Sequence, residues 1–314
     1  MTSRNNNPIV LISDKQERFA YYHIDEYRIG CGAMGEVFKG WKVDRPAEKI
    51  AIKRVFPRHS QNSSIRERAR FEASLSIDHP NLIKMLGYSQ MRDGSIYIIS
   101  EFVQGNTIDK FVQTIHPSNR VEIISRMMCL VLDALTCLHQ QRVWHRDIKP
   151  SNIMVENGCN VRVMDLGIAT SDGISFGTIA DRGFGTYPYA PPEQITGKRD
   201  QINATSDLYS LGITFYELLA GINPFAGGSD IDVLERQVKM SLPYDPAITK
   251  SLFNVLLKAT AKKQLGRFQT AKEFKEAIIK ANTSGEGYNP IQWKLIVLVA
   301  VAVLILLILI VSII

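Results

Sequence analysis

The sequence predicts an α+β protein in which a small, strand-rich lobe precedes a larger, mainly helical lobe and one carboxy-terminal transmembrane helix. Three observations support this. Apolar residues alternate around a glycine-rich turn over residues 22–40, which is typical of strand, tight turn and strand. Between residues 121 and 140 apolar residues recur at helical spacing. Residues 295–314 are apolar apart from Ser312, and a helix of that length spans about 30 Å, the thickness of a hydrocarbon core.

Composition excludes several classes of protein. The 314 residues carry a formal net charge of +6. Their basic residues are scattered and form no run interleaved with aromatic residues, so we expect no nucleic-acid binding. The four cysteines have no CxxC spacing, which argues against a zinc site or a disulfide framework, and we expect them to be reduced.

The amino-terminal residues 1–21 form a polar arm with a short apolar patch at residues 9–12. Four apolar residues are too few for the hydrophobic region of a signal peptide, which needs about 7 to 15. We therefore expect that the amino terminus is not exported. The arm is either loose or adds an edge strand to the first lobe.

The first chemical signal along the chain is the glycine-rich turn, with Gly30, Gly32 and Gly35. Glycine lacks a Cβ, so the backbone can fold closely over phosphates and offer them its N–H groups. A dinucleotide-binding loop shares this spacing, but it would be followed directly by a helix. Here the chain continues as strand through residues 37–41 and again through residues 51–53, which argues against that alternative.

A second signal lies at residues 145–152, which read His-Arg-Asp-Ile-Lys-Pro-Ser-Asn. Pro150 opposes a regular helix, so Asp147, Lys149 and Asn152 are expected on a fixed loop. Phosphoryl transfer needs a carboxylate to orient the attacking hydroxyl, a cation to spread charge and oxygen ligands for magnesium. These three side chains are of the required types, although the triplet alone could be a surface salt-bridge cluster.

Further motifs stand in a fixed order around this loop. Asp165-Leu166-Gly167 follows it, and the glycine turn and Ala51-Ile52-Lys53 precede it. With these motifs the chain resembles the protein-kinase family, in its serine/threonine version and most like its bacterial members. The resemblance covers residues 22–281 and implies a two-lobed kinase fold, with a small lobe at 22–102 and a large lobe at 103–281. A juxtamembrane linker at 282–292 and a transmembrane helix at 293–314 would follow.

The resemblance implies a site for ATP and Mg2+, with Mn2+ as an alternative metal. Asp147, Lys149 and Lys53 are implied as the catalytic set, and Asn152 and Asp165 as the metal ligands. Lys53 would hold the α- and β-phosphates, and the backbone at the hinge between the lobes would receive adenine. The residues implied around the nucleotide are Ile29, Gly30, Gly32, Gly35, Val37, Ala51, Lys53, Glu72, Glu101, Val103 and Met154.

One position departs from the family pattern. The glutamate that pairs with the lysine usually stands nine positions before the histidine of the following His-Pro-Asn, and that position is Arg70 here. Glu72 stands only seven before His79. Glu72 is our candidate, with Glu67 as the alternative; a solvated charge on the helix surface is the simpler interpretation of either.

The resemblance also implies which residues regulate the kinase and which ones stabilise its fold. Autophosphorylation is expected at Thr178 or a neighbouring hydroxyl, with Arg146 as the cation that receives the phosphate. Glu193 is expected to pair with Arg267, and Asp207 to anchor the catalytic loop. The activation-loop hydroxyls, among which Thr186 is expected to favour serine or threonine as acceptor, are Thr170, Ser171, Ser175, Thr178 and Thr186.

Together these features predict a single-pass, tail-anchored membrane kinase with its catalytic domain in the cytoplasm, protein substrates and no extracellular sensor. Family members often form homodimers through the small lobe. A nucleotide-binding pseudokinase scaffold is the alternative, supported only by the displaced Glu72. A small-molecule phosphotransferase would not be expected to carry Lys149 together with the docking loop of residues 185–193.

Overall fold

The computed structural model describes residues 7–32, 35–60, 63–75, 77–156, 158–165 and 187–283. The predictions for Thr170, Ser171, Ser175, Thr178 and Thr186 fall outside these residues, as does the predicted transmembrane segment. Among the helices that are described, none combines the length and the apolar character needed to cross a membrane. The two-lobed α+β prediction is confirmed, because seven strands precede a mainly helical part.

The small lobe is built on one antiparallel sheet with the strand order β1-β2-β4-β5-β7-β6, and β3 also pairs with β4. Alternation along β5 turns Ile50 and Ile52 to one face and Ala51 and Lys53 to the other. The strands are β1 Ile9–Ile12, β2 Arg18–Tyr21, β3 Arg28–Cys31, β4 Gly35–Lys42, β5 Arg45–Val55, β6 Met85–Gln90 and β7 Ile96–Glu101.

The amino-terminal hairpin β1–β2 corresponds to the edge-strand alternative for residues 1–21 and not to the loose arm. β2 pairs with the second half of β4, and Leu11 and Phe19 are buried in a cluster with Ile50 and Ile52. The turn after β1 reaches the opposite edge of the sheet, where Asp14 N donates to Tyr88 O at 2.8 Å. The apolar patch of the arm thus covers the outer face of a curled sheet, which explains why these residues are ordered.

The inner face of the same sheet is covered by α2, Ser63–Ser74, which follows the single turn α1, Pro57–Ser60. Ala69 and Ala73 of α2 pack against Val55 and Ile98. The small alanine side chains allow the helix to approach the sheet closely. This packing fixes the helix that carries Glu72 against the strand that carries Lys53.

The large lobe is organised around two buried helices, α4 and α6. Asn203 caps the start of α6 with a reciprocal capping box, and Gly221 ends it at a φ of +79°, a conformation that favours glycine. The helices of this lobe are α3 Ile108–Val112, α4 Pro117–Gln140, α5 Pro192–Ile195, α6 Ala204–Ala220, α7 Asp230–Lys239, α8 Lys250–Ala259 and α9 Ala271–Thr283.

A small sheet of the large lobe positions the expected catalytic loop. Its strands are β8 Asn106–Thr107, β9 Ile153–Glu156 and β10 Asn160–Val163, in the order β10-β9-β8. Residues 145–152 lie between the end of α4 and the start of β9, and Asp165 follows β10 by two residues. Two neighbouring antiparallel strands therefore bring Asn152 and Asp165 to the same edge of the sheet.

Candidate active site

The loop at residues 145–152 is held by a buried carboxylate beneath it. Asp207 of α6 accepts the backbone N–H of His145 at 2.9 Å on Oδ2 and that of Arg146 at 2.7 Å on Oδ1. Arg146 has a φ of +64°, a strained conformation for a residue other than glycine. Burial acts to raise the pKa of Asp207, but the hydrogen bond from His139 outweighs it and the pKa lies below its ordinary value. An ionised Asp207 thus stabilises the strained loop.

His145 links this loop to the segment that carries Asp165. Its Nδ1 accepts the Asp147 N–H at 3.3 Å, so Nε2 carries the proton that it donates to Met164 O at 2.8 Å. Burial lowers the pKa of the imidazole, which keeps this neutral tautomer. The sequence assigned His145 no role of its own, because its function depends on contacts that only the folded chain creates.

The structure confirms that the side chains of Asp147, Lys149 and Asn152 contact one another. Lys149 Nζ lies 2.8 Å from Asp147 Oδ2. Asn152 Nδ2 donates to the same Oδ2 at 2.9 Å and to the Asp147 carbonyl at 2.8 Å. No described residue donates to Asp147 Oδ1. That oxygen is therefore available to accept a proton or a hydrogen bond from a bound hydroxyl.

Lys53 and Asp165 join the two lobes through an ion pair. Lys53 Nζ donates to Asp165 Oδ1 at 2.8 Å. Burial acts to raise the pKa of Asp165, yet the Lys53 ammonium outweighs it and holds that pKa below its usual range. Burial acts to lower the pKa of Lys53, but Asp165 and then Glu72 raise it above its ordinary value. Both groups are therefore charged at neutral pH.

Glu72 is buried near this pair, with 6% of its surface exposed. Burial and, to a smaller extent, the Asp165 charge raise the pKa of Glu72 to about 7 against the lowering effect of Lys53. Among the described ion pairs Lys53 contacts Asp165 and not Glu72, so the pairing of Lys53 with Glu72 stays a prediction. The alternative Glu67 is exposed, and Arg70 lies over the Tyr88 ring; Glu72 is thus the better placed glutamate.

The three glycines of the first turn differ in what the fold demands of them. A Cβ on Gly35 would overlap the carbonyl oxygen of Arg54, so the pairing of β4 with β5 requires glycine there. A Cβ on Gly32 would meet nothing within 4 Å, and one on Gly30 would make only ordinary contact with Val37. Packing therefore does not require glycine at positions 30 and 32, and contact of their backbone with phosphate stays a prediction.

The remaining residues expected around the nucleotide come from both lobes. Val37 is the β4 partner of Lys53, and Ile29 lies on the neighbouring strand β3. Ala51 of β5 lies opposite Ser100 of β7. Met154 lies on β9, beyond the connection between the lobes.

The hinge carries an ionic contact that sequence reasoning missed. Glu101 Oε1 accepts the Lys84 N–H at 2.9 Å and lies 3.4 Å from Arg162 of the large lobe. Val103 follows and is buried. The Glu101 side chain is therefore held on both sides, whereas contact of the Glu101 and Val103 backbone with adenine stays a prediction.

The residues present fit a magnesium site. Within the described part of the chain no group of three or more His, Cys, Asp and Glu residues forms a metal cluster. Magnesium, however, is commonly bound through one or two protein oxygens together with phosphate and water. The amide hydrogens of Asn152 point to two acceptors on Asp147, and no described residue donates to Asn152 Oδ1, which is thus the first candidate ligand atom. Asp165 Oδ2, likewise without a described donor, is the second.

The predicted structural pair is present and fully buried. Arg267 donates to both carboxylate oxygens of Glu193, at 2.8 and 2.9 Å, and its remaining donors reach the carbonyls of Thr205, Ala261 and Lys262. Burial acts to raise the pKa of Glu193, but Arg267 holds it below the ordinary value. The pair fastens α5, which begins at the end of the expected docking loop of residues 185–193, to the rest of the large lobe.

The sequence of this chain is similar to those of known serine/threonine-protein kinases. Serine/threonine-protein kinase PrkC of Bacillus subtilis is 32% identical over 270 residues, 83% of this chain and 40% of the relative. Serine/threonine-protein kinase pkn3 of Myxococcus xanthus is 34% identical over 275 residues, 82% of this chain and 49% of the relative. The chain thus matches less than half the length of either relative.

Solved structures show the same fold at lower sequence similarity. The kinase domain of Mycobacterium tuberculosis PknI, crystallised as a double mutant, superposes with a TM-score of 0.64 at 20% identity, covering 90% of this chain and 99% of that one. The family pattern described as "Protein kinase domain" matches residues 22–282. That match spans most of the sequence and includes all of the site residues placed above, so this chain belongs to the protein kinase family.

Proposed function

We propose that this chain is a serine/threonine protein kinase that transfers the γ-phosphate of ATP to hydroxyl groups of proteins. The observation that carries the proposal is the meeting of Lys53, Asp147, Asn152 and Asp165 around three oxygens that no described residue occupies. The similarity to relatives that are named serine/threonine-protein kinases supports the choice of acceptor. The family uses ATP and Mg2+.

In this proposal Asp147 receives the serine or threonine hydroxyl on Oδ1. The hydroxyl oxygen bonds to the γ-phosphorus as the bond from that phosphorus to the β-phosphate oxygen breaks; the hydroxyl proton passes to Asp147 and ADP leaves. Lys149 and Asn152 hold Asp147 Oδ2, which fixes the orientation of the carboxylate. The Lys149 ammonium would also balance charge on the moving phosphate.

The other two residues of the site bind the nucleotide and its metal. Magnesium supplies neutralisation of phosphate charge when bound. Asn152 Oδ1 and Asp165 Oδ2 are the protein oxygens that would hold it. Lys53 would then exchange its present partner Asp165 for the α- and β-phosphates, and Glu72 would orient the lysine from α2.

A scaffold that binds nucleotide without transfer is the second candidate. One observation favours it: the Lys53 ammonium contacts Asp165 instead of Glu72. Against it, the lysine, the catalytic aspartate and both metal-binding residues are all present in one site. We therefore place the scaffold second.

The proposal extends to regulation by the activation segment. Its hydroxyls, Thr178 above all, would accept phosphate from a second copy of the kinase, and the Arg146 side chain beside Asp147 would bind that phosphate. If the four hydroxyls between Gly167 and Gly185, at positions 170, 171, 175 and 178, are replaced by alanine, we expect activity to fall severalfold. Full activity in that variant would exclude this form of regulation.

Membrane anchoring through residues 293–314 completes the proposal. The support is the run of residues 295–314, which is apolar apart from Ser312, with Trp293 and Lys294 just before it, where aromatic rings and cations favour the membrane interface. The kinase domain would face the ATP-containing cytoplasm, and confinement to one plane would favour homodimers that phosphorylate each other. A chain that stops at residue 290 should leave the membrane fraction in cell fractionation; retention there would contradict the anchor.

The test of the catalytic proposal uses the full chain in detergent micelles with Mg2+ and ATP. We expect mass spectrometry to locate phosphate on serine or threonine of the wild type, and none on an Asp147→Asn variant incubated alongside. Phosphate on both proteins would assign transfer to a contaminating kinase. Phosphate on neither would favour the scaffold.

A further inference from the structure

Three residues within the expected docking loop of residues 185–193, Tyr187–Tyr189, have their backbone carbonyls held by side chains of the large lobe. Gln237 Nε2 donates to Tyr187 O at 3.2 Å and also contacts Pro188 O. Ser210 Oγ donates to Tyr189 O at 2.9 Å. Successive carbonyls of one short segment are thus fixed by side chains of two different helices, α7 and α6.

Gln237 is the central residue of this arrangement. It lies on α7 and is 0% exposed. Its Oε1 accepts the Tyr209 hydroxyl at 2.5 Å, which orients the amide so that its two N–H donors face the segment. Asn223 adds a longer contact to Pro188 O, at 3.4 Å.

A lysine completes the chain of donors behind Gln237. Lys262 Nζ donates to the Tyr209 hydroxyl at 2.8 Å and lies 4.4 Å from the centre of the Phe225 ring. Burial, with the Arg267 guanidinium nearby, lowers the pKa of Lys262 to about 7. Both the ammonium and the neutral amine can donate, so the arrangement does not require the charge. Lys262 thus donates to Tyr209, Tyr209 donates to Gln237, and Gln237 donates to the backbone carbonyls of Tyr187 and Pro188.

Glutamine is the side chain that this position requires. A leucine would fill the space but remove the donor to Tyr187 O, the Gln237 contact to Pro188 O and the Oε1 acceptor of the Tyr209 hydroxyl, and the loss of hydrogen-bond partners is costly for buried polar groups. A glutamate would keep the acceptor for Tyr209 but lose both donors to the segment. Neither Gln237 nor Tyr209 contacts any of Lys53, Asp147, Asn152 or Asp165 through the hydrogen bonds described above.

We propose that Gln237 is a positioning residue for the protein substrate, which holds the backbone at Tyr187–Tyr189 in the conformation that the acceptor segment docks against. The inference rests on the proposed function, because it presumes a protein substrate at residues 187–193. It adds that specificity for the acceptor is set in part from α7, a helix outside the catalytic centre.

The test compares Gln237→Leu with wild type in the full chain, using myelin basic protein as acceptor. The expected result is a rise in the KM for that acceptor of about tenfold, equivalent to the loss of about 1.4 kcal/mol in docking, with the KM for ATP unchanged within about twofold. Glu235→Gln, an exposed change on the same helix, should leave both constants as in wild type. A residue of merely structural importance would move both constants or kcat.

Tyr209→Phe provides a second and gentler variant, since it keeps the ring and removes only the hydroxyl that orients Gln237. We expect it to raise the KM for the acceptor in the same direction by a smaller factor. An unchanged acceptor KM in the folded Tyr209→Phe and Gln237→Leu variants, or an equal rise in the KM for ATP, would overturn the inference and leave the proposed function standing. No transfer by the wild type would overturn both.

Discussion

The buried glutamate of α2 gives the most specific prediction about catalysis. The pKa of Glu72 is raised from 4.5 to about 7 by burial and by Asp165, and only its ionised form can pair with Lys53. With that pKa the ionised fraction rises from about one tenth at pH 6 to about nine tenths at pH 8. We therefore expect kcat/KM for ATP, which reports ionisation of the free enzyme, to rise about tenfold over this interval.

The assay is the pH profile of kcat/KM at low ATP for wild type, Glu72→Gln and Glu67→Gln. Glu72→Gln should have low activity and lose the rise centred near pH 7. Glu67 is exposed on the same helix, so its variant should keep the wild-type profile. A wild-type profile without a rise between pH 6 and pH 8, or a Glu72→Gln variant that retains it, would refute the assignment of Glu72.

The same shift has a consequence for stability with a defined sign. The folded protein binds the Glu72 proton more tightly than the unfolded chain, so this contribution to stability is fully present below about pH 4.5 and is lost as the pH rises through about 7. The amount is on the order of 3 kcal/mol. Urea titrations of wild type and Glu72→Gln should therefore converge at low pH and diverge towards pH 8, with the wild type the less stable; parallel curves would contradict this.

Three further predictions follow from the geometry. Asp147→Asn should lower kcat by about 10²–10⁴-fold while nucleotide binding, measured by calorimetry, persists; loss of binding would point to misfolding. Gly35→Ala should destabilise the small lobe because its Cβ would overlap a backbone carbonyl, whereas Gly32→Ala should keep the thermal stability of wild type and raise only the KM for ATP; equal stability of the two variants would contradict the packing argument. Arg267→Ala should lower the free energy of unfolding by about 3–5 kcal/mol because it leaves Glu193 buried without its partner, and an unchanged urea midpoint would count against the pair.

The sequence was sufficient to predict the two lobes and to bring together Asp147, Lys149 and Asn152, because those residues lie within one short loop. It also predicted that Glu193 and Arg267 would meet, although 74 positions separate them. That prediction came from resemblance to a family, since hydrophobic periodicity carries no information about which distant charges pair.

The sequence did not predict contacts that depend on how elements pack. The apolar patch at residues 9–12 was too short to distinguish a loose arm from a strand, and its role became clear only where β1 covers the outer face of the sheet. Gln237 lies on the amphipathic helix α7, where a glutamine has no feature in its local sequence that distinguishes it from a surface residue. Nothing in its local sequence shows that its amide faces the carbonyls of Tyr187 and Pro188.

The central claim is that this site transfers phosphate and does not merely bind nucleotide. The most direct test measures Mg2+-dependent nucleotide binding and transfer of the γ-phosphate to protein in the same preparation of the full chain. Our account predicts binding by both wild type and Asp147→Asn, with transfer to serine or threonine by the wild type alone. Binding by the wild type without transfer to itself or to an added acceptor would contradict the account and identify the protein as a scaffold.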